Sequence, residues 1–364
     1  MNRRHMKYTL SFLLFLLAAA TVTVPAAGQH ADARIGALLN SGDYFTLREV
    51  LPRQADSIAS PVVRGMAETL VGTFFNRPAP ELVMPEGGTC VSYRLDSVGR
   101  GRIMTVPVHI GGNVRDFVFD TGAAQFNFVS ERFARENGIR MIADSIPVAG
   151  IGRGWVGLGV ADSLAVGGIV MRNPVFLISP PDQATDTIEV ISAVLGNAFM
   201  RKAERFTIDN RTRHIVFPAE RTLHADGTER MANMMLNSFQ PYVRIHADGI
   251  PLLFHFDTGN VATTLYPPYY ELFREQVDSC GVEDTVRIGG FAGVAENVCY
   301  RLPSVEFTLE GVPFTLRDID VLPSGSAGAT AGSEAGSLGT DFATAFDTLT
   351  VDYTSCTVLG ENVP

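Results

Sequence analysis

The sequence predicts an all-β protein of two homologous units, preceded by a small α-helical segment. From about Val91 onward, short runs rich in Val, Ile and Phe alternate with Gly, Pro and Asn, a pattern typical of β-sandwiches and barrels. Between about Ala33 and Phe75 the apolar residues recur at helical intervals, which predicts a helical hairpin. The chain has 364 residues, enough for about two domains.

An internal repeat predicts that the β region holds two units. Asp-Thr-Gly begins at Asp120 and again at Asp257, an offset of 137 residues (257 − 120). The stretch "VLGNAFMRKAERFTIDN" from Val194 aligns with "SLGTDFATAFDTLTVDY" from Ser337, an offset of 143 (337 − 194). Nearly equal offsets at both motifs indicate two homologous β units with a few residues inserted in the second.

The domain boundaries follow from these patterns and from the N-terminus. Basic residues precede an apolar run and then small residues, which predicts a secretory signal peptide and therefore an exported protein, periplasmic or extracellular. A transmembrane anchor is less favoured, because the run is shorter than the about 18–20 residues of a span. The predicted units are a signal peptide (1–28), a helical segment (29–88), a first β lobe (91–220) and a second β lobe (230–364).

Charge and cysteine content restrict the partners and the covalent links. The net charge of −10 is spread along the chain, which argues against a nucleic-acid surface and an anionic-membrane surface. No segment after the signal peptide is apolar enough to span a bilayer, which argues against membrane insertion after signal removal. Cys90, Cys280, Cys299 and Cys356 permit disulfides in an exported protein, and the pairing of Cys280 with Cys299 is favoured because both lie in one short stretch. The spacing of Cys and His gives no support to a zinc site.

Each Asp-Thr-Gly follows a run in which Phe alternates, so its carboxylate is expected where a buried strand ends. The Gly permits a tight turn, and the Thr can hydrogen-bond across to the other repeat. One such motif is also an ordinary turn sequence, whereas two at equivalent positions of a repeat can meet at a shared axis. Two carboxylates about 3 Å apart hold one proton between them, so the pair supplies both a base and an acid.

These motifs resemble those of retropepsin-like and pepsin-like aspartic proteases of the single-chain bacterial type, with both Asp-Thr-Gly units in one chain. The resemblance rests on "VFDTGA" (118–123) and "HFDTGN" (255–260), followed by "VLGNAF" (194–199) and "SLGTDF" (337–342). It implies two retropepsin-like β-barrel lobes in a pseudo-two-fold arrangement, and an aspartic endopeptidase that acts on a peptide or protein substrate. It also implies no metal, no cofactor and no need for a homodimer, so a monomer is possible.

The resemblance assigns roles residue by residue. The matched residues are the catalytic aspartates Asp120 and Asp257, the interlocking threonines Thr121 and Thr258, and the turn glycines Gly122 and Gly259. The next position is Ala123 in the first copy but Asn260 in the second, where the family more often has Ser or Ala. His255 is expected to be a half-buried structural histidine rather than a catalytic one.

The family covers its substrate with β-hairpin flaps, and two Gly-rich stretches lie at the corresponding places, 148–160 and 286–298. The predicted flap residues are Gly152, Trp155, Gly290 and Phe291. Trp155 is expected either to line a pocket or to pack the hairpin onto the body. The first stretch also fits G-x-G-x-x-G, but a strand pattern follows it rather than a helix, which argues against dinucleotide binding.

Two other functions remain open from the sequence. One is a non-catalytic module that binds peptides or proteins in a pepsin-like cleft, since fold alone does not determine function. The other is a latent precursor in which the helical segment, about 33 to 75, covers the cleft.

Overall fold

The computed structural model describes most of the chain after the predicted signal peptide. The described residues are 29–41, 43–74, 77–123, 125–149, 153–179, 192–219, 231–237, 239–290, 293–326 and 333–362. The signal peptide, Gly152 and Phe291 therefore lie outside them. None of the helices in this part of the chain is long and apolar enough to cross a bilayer.

Helices are concentrated at the N-terminus and otherwise follow strand ends. The helices are α1 (Gln29–Ser41), α2 (Tyr44–Gln54), α3 (Pro61–Phe74), α4 (Glu131–Glu136), α5 (Asn197–Ala203), α6 (Pro267–Leu272), α7 (Arg274–Cys280) and α8 (Thr340–Ala343). The prediction of a two-helix hairpin is therefore wrong, because the described part of the N-terminal segment contains three helices. Asp43 caps α2 by accepting a hydrogen bond from the Thr46 N–H at 3.2 Å, and Pro61 begins α3 after a short 3₁₀ turn.

The rest of the described chain is mainly strand, as predicted. The strands are β1 (Glu81–Val83), β2 (Thr89–Ser92), β3 (Arg94–Val98), β4 (Gly101–Ile110), β5 (Asn113–Phe119), β6 (Asn127–Ser130), β7 (Arg140–Ala149), β8 (Arg153–Val160), β9 (Ser163–Val166), β10 (Ile169–Arg172), β11 (Val175–Ser179), β12 (Ala193–Leu195), β13 (Arg205–Asp209), β14 (His214–Phe217), β15 (Met234–Asn237), β16 (Gln240–Ala247), β17 (Ile250–Phe256), β18 (Thr264–Leu265), β19 (Val282–Gly290), β20 (Gly293–Leu309), β21 (Val312–Val321), β22 (Gly336–Leu338), β23 (Thr348–Asp352) and β24 (Thr357–Glu361).

The two lobes repeat one strand order, which confirms the all-β fold of two barrel lobes. In the first lobe seven neighbouring strands run β4-β5-β12-β6-β11-β8-β7, and in the second lobe they run β16-β17-β22-β18-β21-β20-β19. In each lobe the strand before Asp-Thr-Gly lies parallel to the strand of the second motif, β5 with β12 and β17 with β22. Strand β1 joins the sheet of the first lobe through β10, so this lobe draws on the chain ahead of the predicted boundary at residue 91.

A third sheet joins the lobes and contains their pseudo-two-fold axis. Its strand order is β2-β14-β13-β23-β24, so β13 of the first repeat pairs with β23 of the second. The register is symmetric about Thr207 and Thr350, which occupy equivalent positions in the repeat (350 − 207 = 143). Their hydroxyl groups lie 2.8 Å apart, as expected for side chains beside a two-fold axis.

The favoured disulfide between Cys280 and Cys299 is wrong, because all four cysteines are free thiols. Cys280 ends α7 at the surface, whereas Cys299 is buried in β20. The Cys299 thiol donates a hydrogen bond to Asp320 at 3.7 Å, and burial raises its pKa to about 12. Cys299 is thus a buried, protonated thiol of the second lobe.

Candidate active site

The two Asp-Thr-Gly loops are built alike from the ends of neighbouring strands. The backbone N–H of Asp120 donates to the carbonyl of Leu195 at 3.0 Å, and that of Asp257 donates to the carbonyl of Leu338 at 2.9 Å. A hydrogen bond to the adjacent strand therefore holds the backbone of the first residue of each motif, and the loop begins after it. This places both carboxylates at strand ends, as the sequence predicts.

The threonines interlock the two loops. The Thr121 N–H donates to the Thr258 hydroxyl at 3.0 Å, and the Thr258 N–H donates to the Thr121 hydroxyl at the same distance. Each hydroxyl in turn donates to a carbonyl of the opposite strand, that of Phe256 at 2.8 Å and that of Phe119 at 2.5 Å. Four reciprocal bonds between fully buried groups hold the loops in one arrangement.

The glycines allow the two aspartates to approach. A Cβ atom added to Gly122 would lie 2.3 Å from Cγ of Asp257, and one added to Gly259 would lie 2.4 Å from Cγ of Asp120. Each carboxyl group thus packs against the glycine of the opposite loop, a space that any side chain would fill. Each carboxyl group shifts the pKa of the other.

The dyad is buried and electrostatically asymmetric. Burial raises the pKa of both carboxyl groups, and for Asp257 the neighbouring Asp120 raises it further, well above its usual value. The pKa of Asp120 is lowered first by Asp257 and then by the N–H groups that its Oδ1 accepts, those of Gly122 at 2.7 Å and Ala123 at 3.0 Å. For Asp257, the Gly259 N–H donates at 3.0 Å. The two carboxyl groups therefore titrate as a pair, with the larger rise of the pKa on Asp257.

Equivalent residues of the second motif support each loop from behind. The Asn197 N–H donates to the carbonyl of Ala123, and the Thr340 N–H donates to the carbonyl of Asn260, both at 2.8 Å. The Asn197 side chain also donates to the carbonyl of Thr121, while the Thr340 hydroxyl donates to that of Thr258 at 2.9 Å. One lobe thus uses an amide and the other a hydroxyl for the same contact.

Both predicted flap regions form β-hairpins, β7 with β8 and β19 with β20. Trp155 lies on β8 and is 61% exposed, so it does not pack the hairpin onto the body. Gly290 ends β19, next to the turn of the second hairpin. The residues that fit G-x-G-x-x-G enter strand β8 rather than a helix, which agrees with the argument against a dinucleotide site.

His255 is more deeply buried than expected and belongs to a polar cluster beside Asp257. Its Nδ1 lies 3.4 Å from the Ser337 hydroxyl, its ring centroid lies 5.3 Å from that of Tyr242, and burial lowers its pKa to about 4. Burial, Asp257 and Glu334 raise the pKa of Tyr266, and Ser337 lowers it. Sequence reasoning missed this cluster, although the pairing of Tyr242 with His255 on adjacent strands offered a signal.

For the first lobe, comparison with known proteins agrees with the resemblance of the sequence motifs. Residues 106–199 match a family model described as aspartyl protease. This stretch is similar to aspartyl proteases. It contains the first Asp-Thr-Gly and the motif that packs behind it. No curated protein matches the chain.

Several solved structures resemble the chain at low identity. Conglutin gamma, a basic 7S globulin from lupine seeds, is 11% identical with a TM-score of 0.47, over 77% of this chain and 94% of that one. Basic 7S globulin from soybean is 10% identical with a TM-score of 0.45, over 75% and 94%. A structure named edgp is 12% identical with a TM-score of 0.45, over 76% and 95%.

Proposed function

We propose that the protein is an aspartic endopeptidase that hydrolyses peptide bonds with a water activated by Asp120 and Asp257. The observation that carries the proposal is the cross-packing of the two carboxyl groups, each against the glycine of the opposite loop. Such contact confines one proton to a pair of carboxyl groups, which is the requirement for a dyad that acts as base and acid together.

The asymmetry of the dyad gives each aspartate a role. Asp120, whose carboxylate accepts two backbone N–H groups, takes a proton from the attacking water. Asp257, whose pKa is raised further, donates a hydrogen bond to the carbonyl oxygen of the scissile peptide. When the tetrahedral intermediate collapses, the proton on Asp120 passes to the leaving amine. Neither step needs a covalent intermediate, and both aspartates lie in one chain.

The test is cleavage of a mixed peptide library by the mature protein. Asp120→Asn and Asp257→Asn are each expected to lower kcat/KM by about 10²–10⁴-fold, the usual contribution of general acid and base groups. Asp116→Asn is the matched control, because Asp116 is an exposed carboxylate that pairs with Arg94. Full activity in either dyad variant would contradict the proposal. A protein that binds peptides but cleaves none would favour the non-catalytic binding module.

The helical segment lies where it can act as a cover, which supports the latent-precursor alternative as a second proposal. Ile35 and Leu47 belong to the same apolar cluster as Ala123 and Val261, which follow the two catalytic loops. We expect removal of residues 29–78 to raise kcat/KM if the segment covers the cleft. Unchanged kcat/KM in a truncated protein with intact circular dichroism would contradict latency.

Export to the periplasm or the cell exterior is likewise proposed, from the signal-peptide pattern.

A further inference from the structure

Two side-chain amides hold the carbonyl groups of the first catalytic loop. Gln240 begins β16 of the second lobe and is 4% exposed, and its Nε2 donates to the carbonyl of Gly122 at 3.1 Å. Asn197 begins α5 and is fully buried, and its Nδ2 donates to the carbonyl of Thr121. A carbonyl oxygen only accepts, so in both contacts the amide nitrogen faces the loop. The first loop is therefore held by one amide from each lobe.

Both carbonyl groups belong to peptide groups whose N–H donates to Asp120. The Thr121 carbonyl shares a peptide group with the Gly122 N–H, which donates to Oδ1 of Asp120 at 2.7 Å. The Gly122 carbonyl shares one with the Ala123 N–H, which donates to the same oxygen at 3.0 Å. A hydrogen bond to the carbonyl of a peptide group polarises its N–H and strengthens the bond that this N–H donates. Two chains, each from amide to peptide to carboxylate, thus end on one oxygen of Asp120.

The second loop differs from the first at the position of Gln240. The equivalent residue is Ile103 (240 − 103 = 137), because β4 and β16 pair in the same register with the strands that precede the two Asp-Thr-Gly motifs. Ile103 is buried in the apolar cluster that also contains residues of the N-terminal helices, and its side chain has no polar atom to donate to the carbonyl of Gly259. The other support is kept, because the Thr340 hydroxyl donates to the carbonyl of Thr258 at 2.9 Å. Gln240 is therefore a support that one loop has and the equivalent residue of the other loop cannot supply.

We propose that Gln240 is a positioning residue that favours the ionised form of Asp120 over that of Asp257, because it holds the peptide group whose Ala123 N–H donates to the Asp120 carboxylate. Its contact crosses from the second lobe to the first loop, so the ionisation of Asp120 depends on the contact between the lobes. Ile103 supplies no such donor to the second loop, which leaves Asp257 as the acid of the pair. This inference rests on the proposed function of the dyad and adds to it a residue that makes the two aspartates unequal.

The other titratable groups around the dyad are the same in every variant of the test. Burial and, to a smaller extent, the dyad raise the pKa of three phenols, which stay neutral in the assay: Tyr242, Tyr266 and Tyr353. The Tyr353 phenol donates to Oδ1 of Asn197 at 2.5 Å and so belongs to the support of the first loop. His255 lies two residues before Asp257, and burial lowers its pKa to about 4. A shift that differs between variants therefore reports on the dyad.

The test is the pH dependence of kcat/KM for a peptide cleaved in the library assay. Gln240→Met removes the amide but keeps a side chain of similar length, so the Asp120 carboxylate loses stabilisation and the acidic limb should move to higher pH by about 0.5 unit. Ile103→Gln supplies the missing amide to the second loop, and the alkaline limb should move to lower pH by about 0.5 unit. Ile103→Met is the matched control, because it changes the same position without adding a donor, and both limbs should stay at their wild-type pH.

The shape of the pH profile distinguishes positioning from a structural role alone. A Gln240→Met protein that is folded by circular dichroism and loses kcat/KM equally at every pH would overturn the proposal. An acidic limb at its wild-type pH in Gln240→Met would overturn it as well.

Carbon-13 NMR of the aspartate carboxyl groups tests the proposal without catalysis. Asp120→Asn and Asp257→Asn identify the signals of the dyad. The lower apparent pKa of the dyad should rise by about 0.5 unit in Gln240→Met, and the higher one should fall by about as much in Ile103→Gln, even if the wild type cleaves no peptide. Wild-type apparent pKa values in both variants, or in the one that folds, would overturn the positioning role whether or not the protein is a protease.

Discussion

The two lobes share a strand order but differ in the side chains next to their Asp-Thr-Gly loops. Val118 and His255 each precede the aspartate by two residues, and Val194 and Ser337 each begin the second motif. In the first lobe, Val118 and Val194 belong to an apolar cluster that also contains residues of the N-terminal helices. In the second lobe, the equivalent residues are polar, and the Ser337 hydroxyl lies 3.4 Å from Nδ1 of His255.

This difference separates the residues that position the two carboxyl groups from the flanking residues, which can differ between the lobes. The interlocked threonines and cross-packed glycines are the same in both lobes because they position the dyad. The flanking side chains differ: Val118 and Val194 lie in an apolar cluster with the N-terminal helices, whereas His255 and Ser337 contact each other. Symmetric residues should therefore give symmetric effects when they are mutated, and the flanking residues should not.

The largest effects are expected from the glycines of the two loops. Gly122→Ala would place a Cβ atom 2.3 Å from Cγ of Asp257, and Gly259→Ala would place one 2.4 Å from Cγ of Asp120, so either variant must push the carboxyl groups apart. We expect kcat to fall by on the order of 10²-fold or more in both, because a displacement of about 1 Å at the reacting groups costs that much. Steady-state kinetics on one cleaved peptide measures it.

Gly36→Ala is the matched control, because a Cβ atom there has nothing within 4 Å and Gly36 lies inside α1. It should keep the wild-type kcat. Circular dichroism of each loop variant distinguishes a displaced dyad from global unfolding. A folded Gly122→Ala or Gly259→Ala protein with wild-type kcat would refute the close approach of the carboxyl groups, and a large effect in only one lobe would refute the symmetry of the loops.

A smaller and asymmetric effect is expected from His255→Val, which gives the second lobe the residue of the first. Burial lowers the pKa of His255 to about 4, whereas an unfolded histidine has a pKa of about 6.5. The unfolded state therefore binds the proton first, and the free energy of unfolding falls as the pH drops from about 6.5 towards 4, by on the order of 3 kcal/mol. His255→Val should remove this part of the pH dependence in urea unfolding.

His109→Val is the control for His255→Val, because His109 is an exposed histidine of the first lobe. Its unfolding free energy should follow the wild-type pH dependence. If His255→Val and the wild type lost the same free energy between about pH 6.5 and pH 4, His255 would not be held neutral by burial.

Sequence reasoning located the dyad because each aspartate and its supporting threonine and glycine are adjacent in the chain. It also placed the hairpins correctly, since alternation and glycine positions are local signals. It predicted a hairpin of two helices where the N-terminal segment has three, and it chose a disulfide from proximity along the chain. The contact between His255 and Ser337 was missed because the parallel pairing of β17 with β22 joins residues 82 apart in the chain, a distance that no local pattern reports.

The smallest effect is expected at the axis itself, from Thr207 and Thr350. Their hydroxyl groups lie 2.8 Å apart, so Thr207→Val and Thr350→Val each remove one hydrogen bond, worth about 0.5–1.5 kcal/mol of unfolding free energy. Because the pair lies on the axis, the two single variants should be destabilised equally, and the double variant by no more than about the larger single effect.

Thr315→Val, at an exposed position on β21, serves as the control and should change the unfolding free energy little. Additive losses in the double variant would mean that the two hydroxyl groups do not bond each other, and the symmetry of the lobes would then rest on the backbone register alone.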